Sequence, residues 1–150
     1  APAILIHMKG TPETMQINPD YGDLMAEITG HLAQRAEFAL SRGIEKSRII
    51  LDPGIGFGKT VTHNLVIIQQ LAKIADLGFP VLMGTSRKSF IQKILGQDPK
   101  SPVGPVHEDT EAGTLATLGA SIFNGAHILR VHDVARAAAF TRILDAVRNA

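Results

Sequence analysis

The feature that most constrains this chain is an alternation of two periodicities. Four short apolar stretches, Ala3 to Met8, Arg48 to Asp52, Pro80 to Gly84 and Ala126 to Val131, are rich in Ile, Leu or Val, and each runs into Gly, Pro or polar residues. All four read as strands. Between them lie segments with helical spacing: Leu24, Ile28, Leu32, Ala36 and Leu40 in the first, then Leu65, Ile68, Leu71, Ala72 and Ala75 in the second. Gly43 and Gly78 stand where C-caps belong. The third connection is longer, with a short helix from about Ser86 to Leu95, a loop through Pro99, Pro102 and Pro105, and a helix near Glu108 to Phe123. A last helix is expected from about Val134 to Val147.

The order β-α-β-α-β-α-α-β-α implies a parallel sheet, because parallel strands need a crossover and a helix is the usual one. Four βα units occupy the 150 residues, and eight would need about 300, the size of a (β/α)8 barrel. A four-stranded flavodoxin-like sheet is the structural alternative, but it would carry helices on both faces and complete edges of its own. The expected fold class is therefore α/β, half of a (β/α)8 TIM barrel, with four parallel strands each followed by helix. No repeat or linker divides residues 1–150, which read as a single domain. The first residues, Ala1-Pro2-Ala3-Ile4-Leu5-Ile6, lack an initiator Met and a basic leader and begin at once as a strand, so the chain is expected to start at a cut end.

Composition narrows the function classes. Fifteen Lys and Arg against fourteen Asp and Glu leave a net charge of +1, so no whole-chain field draws nucleic acid or anionic lipid. No apolar run reaches the ~18 residues of a membrane span. The absence of cysteine excludes disulfides, thiolate zinc sites and a cysteine nucleophile, and fits a reducing compartment. With 45% hydrophobic and 19% charged residues, the chain is more apolar than a free-standing surface module requires.

The chemically loaded residues gather after the strands. Asp52-Pro53-Gly54-Ile55-Gly56-Phe57-Gly58-Lys59-Thr60 resembles a nucleotide loop only superficially: a Walker A loop needs Gly at position 53, and the glycines are spaced two and two rather than as G-x-G-x-x-G. What remains is a strand ending in a carboxylate, then glycines that allow backbone to approach a planar ligand, with Phe57 among them. A helix-capping Asp on a tight turn is the bland alternative. Gly84-Thr85-Ser86-Arg87-Lys88-Ser89-Phe90 joins serine hydroxyls, cations and an expected helix N-terminus, a combination suited to an anion. Its plain reading is Ser86 as N-cap with Arg87 and Lys88 solvated. In Ile128-Leu129-Arg130-Val131-His132-Asp133, Arg130 and His132 share a strand face, where they are costly unless they meet an anion or line a site. The histidines at 7, 31, 63, 107 and 127 form no H-x-x-x-H pair. On the first strand, Ile4, Ile6 and Met8 share one face, with His7 and Lys9 on the other. Every loaded position falls at the C-terminal end of an expected parallel strand, where ligands bind in barrels and open sheets alike.

Taken together, His7-Met8-Lys9-Gly10-Thr11-Pro12, the 52–59 segment, Ser86-Arg87-Lys88-Ser89 and Ile128 to Asp133 resemble the last four strand-end motifs of the dihydropteroate synthase family, in order and across essentially the whole chain. The resemblance implies the C-terminal half of a (β/α)8 barrel, a single pterin-binding domain over 1–150. It implies condensation of 6-hydroxymethyl-7,8-dihydropterin pyrophosphate with 4-aminobenzoate to 7,8-dihydropteroate and pyrophosphate, on the route to folate, with sulfonamides competing for the aminobenzoate. By motif, Asp52 would accept the pterin 2-amino and N3 hydrogens, Lys88 would bind the pterin carbonyl edge, and Arg130 would stack on the ring and help hold pyrophosphate. His132 would meet the pyrophosphate, Met8 would pack on the pterin, and Phe57 and Ser89 would hold the aminobenzoate ring and carboxylate. Lys88, Arg130 and His132 would be the catalytic set.

The same resemblance implies Mg2+, with its ligands outside this chain, a cytoplasmic location or an organelle in a eukaryote, and a partner that is either an N-terminal half or a second copy. The family's first-strand Asn, two mobile loops, and the Asp and Asn closing the pterin pocket have no counterpart here, so the chain alone is expected to be inactive. Two alternatives remain: a pterin-binding methyltransferase domain, against which Lys88 and Arg130-x-His132 speak, and a non-catalytic half-barrel needing a partner chain.

Overall fold

The computed structural model describes residues 1–11, 15, 19–99 and 108–150. Pro12, Pro102, Pro105 and His107 of the sequence reading lie outside the described residues. The observed order is β1 (Ala3–Ile6), α1 (Leu24–Ser41), β2 (Ile49–Asp52), α2 (Val61–Gln69), α3 (Ala72–Ala75), β3 (Leu82–Met83), α4 (Ser89–Ile94), α5 (Glu108–Phe123), β4 (Ile128–Leu129) and α6 (Val134–Arg148). One turn of 3-10 helix, Lys46–Arg48, leads into β2.

Local chemistry explains the boundaries. Asp23 caps α1 by accepting the Ala26 N–H, and Gly43, at φ 82°, ends it while the Ile44 N–H returns to the Ala39 carbonyl. Thr60 and His63 cap α2 reciprocally, each side chain bonded to the other's backbone N–H. The second helical segment is broken after Gln69 rather than continuous, and α3 is a separate turn.

The strands are parallel, but they do not form one four-stranded sheet. β1 pairs with β2 from Ala3↔Ile49 to Ile6↔Asp52, β3 pairs with β4 at Leu82↔Ile128 and Met83↔Leu129, and a single parallel bridge, Leu51↔Val81, joins the two ladders. The expected strand before Leu82 is short for two reasons. Pro80 has no N–H to give, and the Val81 N–H donates to His127 Nδ1 at 3.2 Å instead of to a strand carbonyl.

The core lies between these strands and the helices. Met25, Ile28, Leu32 and Ala36 of α1 pack with Ile49 and Leu51 of β2, Ile67 and Ile68 of α2, and Phe90 and Ile91 of α4. The other side of β1 is open: Ile4 is 51% and Ile6 42% exposed. No described helix is long and apolar enough to cross a membrane.

Candidate functional site

Because all four strands run the same way, their C-terminal ends share one edge. At the β1/β2 end the polar groups are buried and bonded. Asp52 closes β2; its backbone carbonyl accepts the His7 N–H at 3.0 Å and its Oδ1 accepts the Gly54 N–H at 2.7 Å. Burial pushes the Asp52 carboxyl up from its usual range, opposed by the Gly54 N–H and then by the charges of Arg130, Lys88 and Lys59. Lys59 is buried too. Its Nζ donates to the Phe57 carbonyl at 2.9 Å and to His7 Nδ1 at 3.0 Å. Burial drops Lys59 to about 8 despite nearby Asp52, while burial and then the Lys59 charge drop His7 to about 4. His7 is thus the neutral partner, accepting through Nδ1 and carrying its proton on Nε2.

The glycine loop sits on this end for a steric reason. A Cβ on Gly54, at φ 72°, would stand 1.8 Å from the His7 carbonyl oxygen, and one on Gly58, at φ 63°, 2.5 Å from that of Lys9. The expectation that these glycines admit a ligand is corrected here: Gly54 and Gly58 admit the backbone at the end of β1, while Gly56 faces the Lys88 side chain. Asn64 of α2, 2% exposed, accepts the Gly56 N–H at 2.8 Å and donates to the Thr60 carbonyl. Tyr21 donates its hydroxyl to the Gly58 carbonyl at 2.8 Å.

The β3/β4 end is cationic and open. Arg130 Nη2 lies 3.9 Å from Asp52 Oδ2, with the guanidinium side chain 57% exposed. Lys88 Nζ stands 4.3 Å from the Phe57 ring centroid, and burial, then Arg130, lower its pKa against the pull of Asp52. His132 is exposed, and its Nδ1 lies 2.9 Å from Ser86 Oγ. Ser86 Oγ also accepts the His132 backbone N–H at 3.3 Å, so the serine holds this residue by ring and backbone together. Asp52, Lys88, Arg130 and Phe57 are therefore gathered in one place, with His132 tied beside them through Ser86.

Three expectations change. Helix α4 begins at Ser89, not Ser86, and Lys88 is its N-cap without a side-chain cap bond. Arg87, at φ 56°, stops the helix from starting earlier. The plain reading of the 84–90 segment does not hold: Ser86 bonds His132 rather than capping, and Arg87 pairs with Glu111 rather than with solvent. Arg130 and His132 lie beyond the two residues of β4 and are exposed, so neither is a buried charge on a strand face. Ser89 is exposed at the start of α4. Half-buried Met8 lines a shallow depression with Lys9, Glu27 and His31, between β1 and α1.

Comparison with known proteins shows which family the chain belongs to. The pterin binding enzyme family matches residues 1–132. The chain belongs to the pterin binding enzyme family. It is 46% identical over 148 residues to the dihydropteroate synthase of Synechocystis, covering 98% of this chain and 48% of that protein. Among solved structures, the Yersinia pestis dihydropteroate synthase in complex with a sulfonamide drug superposes with a TM-score of 0.89 at 34% identity, over 99% of this chain and 51% of that one. The Xanthomonas albilineans dihydropteroate synthase in complex with 7,8-dihydropteroate gives 0.85 at 34% identity, over 99% and 51%. The chain spans about half the length of the curated relatives it matches.

Within this edge, sequence reasoning missed Lys59, Asn64 and Ser86 as organisers. Lys59 and His7 are 52 positions apart, and nothing local signals their contact. Asn64 did leave a trace, an amide immediately before the apolar run Leu65 to Ile68 of α2, where it needs a partner if buried.

Proposed function

We propose that residues 1–150 form one pterin-binding domain, the C-terminal half of a (β/α)8 barrel, and that in the whole protein its strand ends catalyse dihydropteroate synthesis. The observation that carries this reading is the buried Asp52 carboxylate facing Arg130 at 3.9 Å, in a chain of the pterin-binding family. A carboxylate fork matches adjacent N–H donors on a flat heterocycle, and only the ionised form offers both oxygens as acceptors. Asp52 takes the pterin 2-amino and N3 hydrogens, Lys88 the carbonyl edge, and Arg130 the ring face and the pyrophosphate. Met8 packs against the pterin from the β1 side. Phe57, beneath Lys88, flanks the aminobenzoate ring, and Ser89 holds its carboxylate.

In the reaction, the neutral aniline nitrogen attacks the pterin methylene carbon as the carbon–oxygen bond to pyrophosphate breaks. The bonding pair leaves with pyrophosphate, and the new secondary amine gives its extra proton to solvent. Arg130, Lys88 and His132 stabilise the charge that gathers on the leaving group. No general base is needed, because the amine is already nucleophilic when neutral. Mg2+ finds no donor set among the described residues, where no group of three or more His, Asp or Glu side chains is placed to hold a metal ion. No step here is routed through it. The cytoplasm suits a cysteine-free chain, and the open Ile4 and Ile6 side of β1 suits either an N-terminal half or a second copy as partner.

The test is twofold. The chain should bind 6-hydroxymethyl-7,8-dihydropterin pyrophosphate in a calorimeter, and should release pyrophosphate with 4-aminobenzoate only when a synthase N-terminal half is supplied in trans. There, Ser89→Ala should raise the aminobenzoate KM while leaving pterin binding nearly unchanged. No pterin affinity together with no turnover in trans would overturn the reading.

A further inference from the structure

The turn between β3 and α4 is held in an uncommon conformation by residues that lie outside the pterin-binding edge. The Lys88 N–H donates to the Thr85 carbonyl at 3.1 Å and closes a four-residue turn whose third member, Arg87, has φ 56°. Arg87 is the only described residue other than glycine with a positive φ. That position in a turn calls for Gly or Asn, because a Cβ crowds the neighbouring backbone there. Such a conformation persists only where the surroundings over-determine it.

The surroundings here are one face of α5. The Arg87 N–H donates to Thr114 Oγ1 at 3.1 Å, and Arg87 Nε donates to Glu111 Oε1 at 2.5 Å. Glu111 is 6% and Thr114 2% exposed, so each buried group has its partner in Arg87. A third member of that face, Thr117, has its hydroxyl 3.0 Å from Thr85 Oγ1 while giving its own hydrogen to the Thr114 carbonyl. On either side of Arg87 stand the residues that matter at the edge: Ser86, bonded to His132, and Lys88, set over Phe57 and beside Asp52. Returning Arg87 to negative φ would rotate the peptide planes on both sides and move Ser86 and Lys88 together.

We propose that Glu111 and Thr114 clamp Arg87 in the left-handed conformation, and that this clamp sets the Ser86–His132 contact and the position of Lys88. Arg87 is then a positioning residue whose guanidinium serves α5 rather than the ligand, and Glu111 is its anchor. The functional arm of the idea rests on the proposed reading of the site; the structural arm does not.

The two arms are tested on Arg87→Ala, Arg87→Gly and Glu111→Gln, with pterin pyrophosphate affinity by calorimetry and the His132 Nδ1 nitrogen shift by NMR without ligand. Arg87→Ala keeps the crowded Cβ and the backbone bond to Thr114 but loses the Glu111 half of the clamp, so affinity should fall about tenfold and the His132 signal should move towards that of an unbonded ring. Arg87→Gly loses the same guanidinium but is at ease at positive φ, and should hold affinity within about threefold of the parent. Glu111→Gln, which preserves shape, should move both readouts in the direction of Arg87→Ala but less, and keeps the test alive if Arg87→Ala does not fold. Equal losses in Arg87→Gly and Arg87→Ala would overturn the clamp in favour of direct ligand contact or plain fold support. An unmoved His132 signal in Arg87→Ala and Glu111→Gln would reduce the pair to an ordinary ion pair. If the parent chain binds no pterin pyrophosphate, the proposed function falls, and the His132 signal alone decides the clamp.

Discussion

The two ends of the shared strand edge are built on opposite principles. Around β1 and β2, Asp52, Lys59, His7 and Asn64 are all buried, and the glycine loop touches the end of β1 so closely that a methyl group has no room. Around β3 and β4, Arg130 and His132 are exposed, and regular pairing lasts only two residues. The difference teaches how such an edge divides its work. A flat heterocycle is recognised by acceptors fixed in place before it arrives, and burial fixes them at the cost of shifted pKa values. On the proposed function, the leaving pyrophosphate is met by long cationic side chains that adjust to it, and exposed Arg130 can remain in water until it binds.

The hardest test of that contrast is a methyl group on each side. Gly54→Ala places a Cβ at 1.8 Å from a backbone oxygen at φ 72°, and neither the loop nor β1 can yield without breaking the His7–Asp52 bond. A stability loss of about 4 kcal/mol or more is expected, in the range reserved for backbone strain combined with core disruption. Urea denaturation showing less than about 1 kcal/mol would mean that the packed end is softer than it looks.

Asp52→Asn comes next. On the proposed function it sets a donor against the pterin donors where an acceptor stood, and should weaken pterin pyrophosphate binding by about 1.5 to 3 kcal/mol. Its folded stability should fall much less, because the remaining amide oxygen still accepts the Gly54 N–H and the raised carboxyl pKa shows that the charge itself is held at a penalty. Equal losses of stability and affinity would make Asp52 a structural cap after all.

How far these two ends were legible in the sequence follows from the same contrast. The strands, α1, α5 and α6 are local: each is written in its own periodicity, and the observed boundaries differ by a residue or two. Asp52, Lys88 and Arg130 were legible because each follows an apolar run into polar residues, and parallel strands put all such ends on one edge. The Lys59–His7 contact and the Arg87–Glu111 pair were not, since each joins residues distant in sequence and is created by the packing itself. The late start of α4 was hidden because nothing in Ser86-Arg87-Lys88 announces a positive φ on an arginine. Shortened pairing at β3 was hidden for a similar reason: a side chain, His127, takes the N–H that the pattern assigned to a neighbouring strand.

Acid sharpens the comparison at the buried end. Unfolded, His7 takes a proton near 6.5; folded, it refuses one until about 4. Stability should therefore fall as pH drops through that window and stay reduced below it, by about 1 to 2 kcal/mol, since the open depression beside His7 screens part of the effect. Lys59 has the opposite limb: folded it releases its proton near 8 and unfolded near 10.5, so its burial penalty is relieved as pH rises between the two. His7→Asn keeps an acceptor for Lys59 and removes the titration. Melting temperatures across pH 4 to 7 should flatten in that variant; an unchanged acid limb would place the sensitivity elsewhere.

The smallest effect is expected from the same methyl group at the open end. A Cβ on Gly84 would meet Arg130 Nη2 at 3.0 Å and Nε at 3.1 Å, and Gly84 is not in the left-handed region, so alanine fits its backbone. The neighbour that must move is the tip of a side chain 57% exposed, and it can swing into water. Replacing glycine where alanine is tolerated narrows the unfolded ensemble by about 0.4 to 1 kcal/mol, enough to offset the displaced guanidinium. Gly84→Ala should accordingly change unfolding free energy by less than about 0.5 kcal/mol. Yet it pushes Arg130 away from Asp52, so pterin pyrophosphate binding should weaken about threefold with the fold intact. The pair of substitutions then separates what each end does: at Gly54 the methyl group removes structure, at Gly84 only the placement of one cation. A Gly84→Ala protein as unstable as Gly54→Ala would show that the cationic end is packed as rigidly as the carboxylate end, and the division between them would be lost.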